Sequence, residues 1–544
     1  MNNHLDALIK QVEAKLREPL ASNIDKWKNH LSDLINQIAE VKLDSAAVVN
    51  GFHVVDESLD PTDWTSARCV AHTMLDASLD FVQTVRERPV WQPIPDRVRS
   101  TLERESLPQH GQSMSDVCDQ ILVNILPYST GNVHPRFWAW VHGAGTIGGV
   151  IGEMMAATMN SNAGFLSHSA VLVERTVLGW MGQMFGFPAD TVGGIIVSGT
   201  SMATLICMAV AHNRALANVR ETGLVGGPRL VAYASSETHM CVVKALELIG
   251  VGSAALRLVP VDEQFRMNID ELKKTIREDR NNGLTPFCIV GNAGTVSTGA
   301  FDDLGQLASI ARCEGVWFHV DGAFGSLIVL DPKRRSLATG LEQADSVAFD
   351  FHKWLHCSYD AGCALVRDRT ELHATFSTRR HYLAATQRGC AGENPWFCEL
   401  GPELSRSFRA LKVWFTLKEH GLLKLGQKIA DNCEQAQYLG TLLAQYSSFI
   451  RVVTPISLNV VNFRLEPDDL LHQMDSPEII DVFNNEIAAD MQESGIALPS
   501  TACIRERLYI RVAITNHRST LTDFDIFVKA ILDRCRDRLA KIKE

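Results

Sequence analysis

The chain is 544 residues long, 46% apolar and 21% charged; these proportions exclude a disordered, collagenous or coiled-coil protein and indicate a large globular one. Its formal charge is −11 with histidine neutral, so a nucleic-acid backbone would on average be repelled and is not an expected partner. Thirteen cysteines without a CxxC pair, and a first segment MNNHLDALIKQVEAKL lacking an apolar core and a cleavage site, speak for a reducing, cytoplasmic setting rather than a secreted disulfide framework.

In chain order, apolar residues recur with helical period at Leu5, Leu8, Ile9, Val12 and Leu16, and again at Trp27, Leu31, Leu34, Ile35 and Ile38. They predict two amphipathic helices that need a partner surface. Leu59–Asp63 reads as a linker and helix start, Ser66–Arg86 as a helix, Pro89, Pro93 and Pro95 as a bridge, and Asp96–Arg104 as another helix. From about Val141 to Asp368 short β-branched runs alternate with helical ones. The predicted strands are Gly194–Val197, Leu230–Ala234, Phe287–Gly291, Val316–Val320, Ser346–Phe349 and Cys363–Val366. Such alternation predicts an α/β fold with a mostly parallel sheet covered on both faces, its ligands at the carboxyl ends of the strands. Gly193–Ala211 carries no charge over a length near that of a membrane span, but Ser198-Gly199-Thr200-Ser201 interrupts it, so strand, loop and buried helix are expected and no membrane contact. After Phe408 a long helical stretch, strands near Ile450–Thr454, Ser457–Phe463 and Arg507–Ala513, and a last helix after Thr522 predict a smaller α+β domain.

Four segments carry chemistry. Gly143-Ala-Gly145-Thr-Ile-Gly148 has the form of a dinucleotide loop, but the acid expected about 20 residues later is missing, and helix packing is the better use of these glycines. Ser198–Ser201 places hydroxyls and free N–H groups at a helix N-terminus, which makes a phosphate cradle; no lysine follows as in a Walker loop. Val316–Gly325 closes a buried strand with Asp321 beside small residues. Asp345–Trp354 ends an apolar strand with His352-Lys353, and burial would lower this lysine's pKa to give a nucleophilic amine able to form a Schiff base. The i, i+4 pair His352 and His356 admits a metal reading, but no HExxH accompanies it, so no metal is expected. Cradle, carboxylate and lysine together fit pyridoxal 5′-phosphate, with His239 in Ser235–His239 as the flat group to stack on its ring.

DSVAFDFHKWLHCSYDAGCALVRD (Asp345–Asp368) resembles the lysine motif of the group II pyridoxal-phosphate-dependent amino-acid decarboxylases, the family of the aromatic-amino-acid, histidine, glutamate and diaminobutyrate decarboxylases. HVDGAFG, NAGTVSTGAFDDL, THMCVVKAL and SFRALKVWF match it in the same order, and the resemblance spans about residues 60–544. It implies the aspartate-aminotransferase-like fold type I and a homodimer with active sites at the interface. The implied divisions are an N-terminal helical extension (1–55), a helical segment packing on the dimer partner (56–130), a large cofactor-binding domain (131–395) and a small C-terminal domain (396–544).

By matching motif, the resemblance implies that Lys353 forms the Schiff base, Asp321 pairs with the pyridine nitrogen and His239 stacks on the ring. It implies that Thr200 and Ser201 bind phosphate, with His352 and Val296 beside the cofactor. Arg511 in RLYIRVA would meet the carboxylate of the amino-acid substrate, and Tyr382 in FSTRRHYLAAT would be the loop tyrosine that, with His239, is a candidate to protonate Cα. The chain departs from the family at several points. Val296 stands where a Thr is frequent, Asp350 where an Asn is frequent, and Ala139-Trp140-Val141-His142 where the aromatic-specific enzymes have A-Y-F-P, which makes Trp140 and His142 candidate substrate contacts. Decarboxylation of an L-amino acid to its amine and CO2 is the expected activity, with aromatic substrates mildly favoured. The alternatives are aldehyde formation or carbon–carbon lysis on the same scaffold, a non-catalytic scaffold protein, and a metal hydrolase built on His319, Asp321, His352 and His356.

Overall fold

The computed structural model describes residues 24–39, 58–378, 395–467 and 477–543. The chain divides into two units, Met1–Ala67 and Arg68–Glu544. In the first, α1 (Ile24–Ala39) confirms the second of the two predicted N-terminal helices, with Leu31 and Ile35 exposed; the first lies outside the described residues. The helix α2 (Trp64–Gln83) starts where the Asp63 carboxylate accepts from the N–H groups of Thr65 and Ser66, the capping its sequence position suggested.

The second unit is built on a seven-stranded sheet. Its strands are β1 (Gly193–Val197), β2 (Leu230–Ser235), β3 (Leu256–Val259), β4 (Thr285–Asn292), β5 (Trp317–Asp321), β6 (Ser346–Asp350) and β7 (Gly362–Val366), in the order β1-β7-β6-β5-β4-β2-β3. The pairings β6–β5, β5–β4, β4–β2 and β2–β3 are parallel, while β7 runs antiparallel to both β6 and β1. Strands β2, β5, β6 and β7 are buried at every residue. Since successive side chains point to opposite faces, both faces must be covered, which is why these strands read as unbroken apolar runs. The helices of this unit include α3 (Ile147–Met159), α4 (Ser169–Met184), α5 (Thr200–Ala215), α6 (Met240–Leu248), α7 (Ile269–Asn281) and α8 (Leu304–Glu314); α4 packs on β1, α5 on β6 and β7, α7 on β3 and β4, and α8 on β4 and β5, while α6 packs on α5.

A four-stranded antiparallel sheet forms the C-terminal part: β8 (Ile450–Val452), β9 (Val460–Leu465), β10 (Ser500–Ile504) and β11 (Arg507–Ala513), ordered β10-β11-β9-β8. Its separate core includes Trp138, Phe463, Phe524 and Phe527, closed by α10 (Pro477–Glu493) and α11 (Leu521–Lys543). The helix α9 (Ala410–Ala444), broken at Gly421 where φ is 68°, touches α3 and α4 as well as β8, β9 and α11, and so joins the two sheets.

Every strand predicted from the sequence is present, and β3 and β10 are additional. Both are edge strands, and β3 is only partly buried; a strand with one neighbour and one wet side lacks the apolar run that marks the others. Because β1 is antiparallel to β7, and β7 to β6, the carboxyl ends of β1, β2, β4, β5 and β6 all open on one edge of the sheet.

Candidate active site

At that edge lies a cavity of about 380 Å³ lined by Ser198–Met202 from the β1–α5 loop, His239 and Cys241 at the start of α6, Asn292 and Gly294–Val296 after β4, Asp321 at the end of β5, Asp350, His352 and Lys353 after β6, and Val141 and Tyr359. Seven of the eleven residues singled out in the sequence thus line one cavity: Thr200, Ser201, His239, Val296, Asp321, His352 and Lys353. The dinucleotide-like glycines serve packing, as expected, at a telling place. A Cβ on Gly143 would strike the carbonyl oxygens of His352 and Lys353, so Gly143 lets its chain lie directly against the lysine loop.

Lys353 Nζ lies 2.9 Å from Asp350 Oδ2, and its side chain is 21% exposed. Burial disfavours the ammonium and is the largest single influence, but the anions around it, Asp350 first and then Asp321, together raise the lysine's pKa. The depression expected from burial is therefore corrected: beside Asp350 the lysine's pKa is shifted up, toward the ammonium. Asp350 opposes burial in the same way, held ionised by Lys353 and His352, while its Oδ1 accepts from the Thr200 N–H at 2.7 Å. One of the N–H groups expected to be free for phosphate is thus occupied.

Asp321 is 5% exposed; its Oδ1 accepts from the Ala323 N–H at 3.2 Å, and its Oδ2 lies 3.6 Å from Cys241 Sγ. His239 caps α6, its Nδ1 accepting from the Cys241 N–H at 3.2 Å. Burial lowers its pKa, and with Nδ1 an acceptor the neutral ring carries its proton on Nε2. His352 is arranged alike, with Nδ1 accepting from the Ala361 N–H at 3.1 Å, Nε2 3.7 Å from Asp350, and its ring 4.2 Å from that of Tyr359.

The remaining candidates flank the cavity. Arg511 on β11 is buried, donates to Ser500 Oγ at 3.1 Å and to the Val296 carbonyl at 2.7 Å, and has no acidic partner among the described residues. Burial lowers its pKa to about 10, so it stays a cation. Trp140 is half exposed with φ of 51°, and its N–H also meets Ser500 Oγ. His142 lies within ring contact of Phe137, Trp140 and Tyr359, at centroid distances of 5.7, 5.9 and 5.7 Å. Tyr382 lies outside the described residues. His319 is fully buried on Ser346, and His356 faces His517; among the described residues no three His, Cys, Asp or Glu side chains are grouped to hold a metal. Sequence reasoning missed Cys241, Asn292 and Tyr359 as cavity residues. All three lie within motifs that carry the family resemblance, and that was the available signal.

The cavity fits pyridoxal phosphate on observations of its own. Thr200 Oγ1 is buried and meets no hydrogen-bond partner of good geometry among the described residues; an anion oxygen would satisfy it, and it stands in the first turn of α5, where anions are favoured. A carboxylate, an imidazole and an amine surround the rest of the space. A lysine amine held beside fixed carboxylates is the equipment that the class of pyridoxal-phosphate-dependent enzymes requires. Within that class the chain belongs to the pyridoxal-dependent decarboxylase family, whose conserved domain matches residues 95–466. It is 33% identical over 455 residues to the aromatic-L-amino-acid decarboxylase of Bacillus atrophaeus, covering 83% of this chain and 92% of that one. It is 29% identical over 469 residues to the phenylacetaldehyde synthase of Arabidopsis thaliana, covering 84% and 93%. Among solved structures it resembles the Oryza sativa TDC with PLP and tryptamine, with a TM-score of 0.81 and 25% identity over 88% of this chain and all of that one.

Proposed function

We propose that the protein removes CO2 from an aromatic L-amino acid to give the amine, working as a cytoplasmic homodimer. The observation that carries the substrate assignment is Arg511, a buried cation without an acid partner among the described residues, one hydrogen bond from the cavity-lining Val296. A buried unpaired guanidinium is costly unless a carboxylate arrives to pair with it. The ring cluster of Phe137, Trp140, His142 and Tyr359 beside the cavity supports an aromatic side chain, as do the names of the relatives.

In this reading Thr200 and Ser201 hold the phosphate of the cofactor, Asp321 its ring nitrogen, His239 its ring face, and Lys353 its aldehyde carbon. When bound, pyridoxal phosphate supplies an aldehyde that captures the substrate amine and a cationic ring that accepts the electron pair released as CO2 leaves. Arg511 fixes the substrate carboxylate and so decides which bond at Cα stands out of the ring plane. His239 keeps a proton on Nε2, ready for Cα, in company with Tyr382. The homodimer is supported by the exposed apolar residues Val150, Met154, Met155 and Met159, which recur along α3. Among the described residues no helix is long and apolar enough to cross a membrane.

The test is product analysis with tyrosine, tryptophan, phenylalanine and glutamate. Amine and CO2 in equal amounts from an aromatic substrate, without H2O2, is the expected result. Aldehyde with H2O2 would replace the reading with that of an aldehyde synthase, the activity named in one relative, and turnover of glutamate alone would overturn the aromatic assignment.

A further inference from the structure

The sequence marks Asp350 only as a departure from the frequent Asn, and the reaction outlined above makes no use of it. Yet three groups of the cavity converge on it. It is 2% exposed, with Oδ1 on the Thr200 N–H at 2.7 Å, Oδ2 2.9 Å from Lys353 Nζ, and His352 Nε2 3.7 Å away. Gly362 on β7 has no side chain to intervene, since a Cβ there would lie 2.7 Å from Asp350 Oδ1. The carboxylate is therefore fixed from three sides, and the lysine ammonium is its counter-charge.

We propose that Asp350 is the counter-ion that holds Lys353 as an ammonium until the cofactor enters, so that loading with pyridoxal phosphate is limited by loss of one proton and this carboxylate sets the pH at which it occurs. The inference rests on Lys353 being the cofactor lysine, as read above. Only a neutral amine adds to an aldehyde. In the condensation one C=N bond forms between Nζ and the aldehyde carbon, the aldehyde oxygen leaves as water with the two amine hydrogens, and the third ammonium proton passes to solvent. The ion pair at 2.9 Å opposes that last transfer. An Asn at this position would still accept from the Thr200 N–H but would leave the lysine without its nearest anion.

The other titratable groups around the pair do not supply the same hold. From α6, His239 is kept neutral by burial and the Cys241 thiol is pushed up by burial and by Asp321. From the opposite wall, His142 is likewise neutral, and the Tyr359 hydroxyl and the β7 thiol of Cys363 are pushed up by burial. His352 is lowered by burial against the pull of Asp350. Asp321 on β5 is the second anion that acts on the lysine, with a smaller effect than Asp350.

The experiment uses full-length cofactor-free protein, wild type and Asp350→Asn, between pH 6 and 9. Chromophore growth after mixing with pyridoxal phosphate gives the loading rate, and acylation of Lys353 by acetic anhydride, mapped by mass, gives the amine's own titration without cofactor. In the wild type both rates should rise about tenfold per pH unit, as one proton requires, with no plateau below pH 8. In Asp350→Asn both profiles should shift to lower pH, so that at pH 7 the variant loads and acylates at least about tenfold faster. Superimposable profiles would overturn the proposal. If the variant fails to fold, as judged by circular dichroism, the wild type decides alone, since a plateau of Lys353 acylation below pH 8 would show an amine that Asp350 does not hold. Absence of any chromophore in either protein at every pH would instead remove the cofactor reading on which the proposal stands.

Discussion

Arg511 is the residue whose surroundings say most about the substrate. Its charge is buried, and its described partners, Ser500 Oγ and the Val296 carbonyl, are neutral acceptors. Arg511→Met should keep the cofactor chromophore and lower kcat/KM by about 100-fold, the scale of a lost charge-assisted hydrogen bond, measured with the best aromatic amino acid; an unchanged kcat/KM would place the substrate carboxylate elsewhere. At this scale much was legible. Lys353, Asp321, His239 and Thr200 sit in motifs whose residue types dictate their chemistry, and all four reach the cavity. The protonation state of Lys353 was not legible, because it depends on where the Asp350 side chain three residues earlier points, and only packing against Thr200 and Gly362 settles that. Trp140 was read as a candidate substrate contact, and its half exposure keeps it out of the core.

At the scale of elements, what makes the site is the close fit of the Gly143 segment on the loop after β6. Gly143→Ala would push its methyl into the His352 and Lys353 carbonyls, and with backbone on both sides neither can give way cheaply. The expected result is a destabilisation of about 1–3 kcal/mol, read by urea unfolding, together with weaker cofactor retention in a chromophore titration. Gly145→Ala is a poor comparison because its φ is 65°, which alone strains an alanine. The sequence located these glycines and rejected a dinucleotide site from the missing acid. It could not say what they packed against, because the partner lies two hundred residues on, across the sheet. The strands buried at every residue were all legible, while the two that were missed, β3 and β10, are edge strands of partial burial.

For the whole molecule, the exposed methionines of α3 predict association. Met155→Glu should shift a dimer toward monomer in light scattering coupled to gel filtration; a monomeric wild type would contradict the homodimer. The resemblance implied the dimer, but the face itself could not be read from the sequence, since exposure appears only once the fold is formed. Acid stability is a second global property. Burial drives His319 down to about 3, and His134 and His517 down to about 4, whereas in the unfolded chain each titrates near the ordinary histidine value. The unfolded state therefore takes up protons first as pH falls. Stability is complete above about pH 7 and declines below about 6.5, by about 2 kcal/mol per such histidine at pH 5. Urea midpoints at pH 7.5 and pH 5 check this, and equal midpoints would refute it.

The strand order carries a consequence for biosynthesis. The first strand of the large sheet to be translated, β1, finds its neighbour in the last, β7, so on the ribosome it waits while the other five strands emerge. Throughout that interval Ile195, Ile196 and Val197, all buried in the finished protein, have no hydrogen-bonded partner strand, which makes the nascent chain a ready client for chaperones. The loop between β6 and β7, which carries Lys353, meets the loop after β1 in the same late event. The cavity that these two loops line is therefore complete only when this sheet closes.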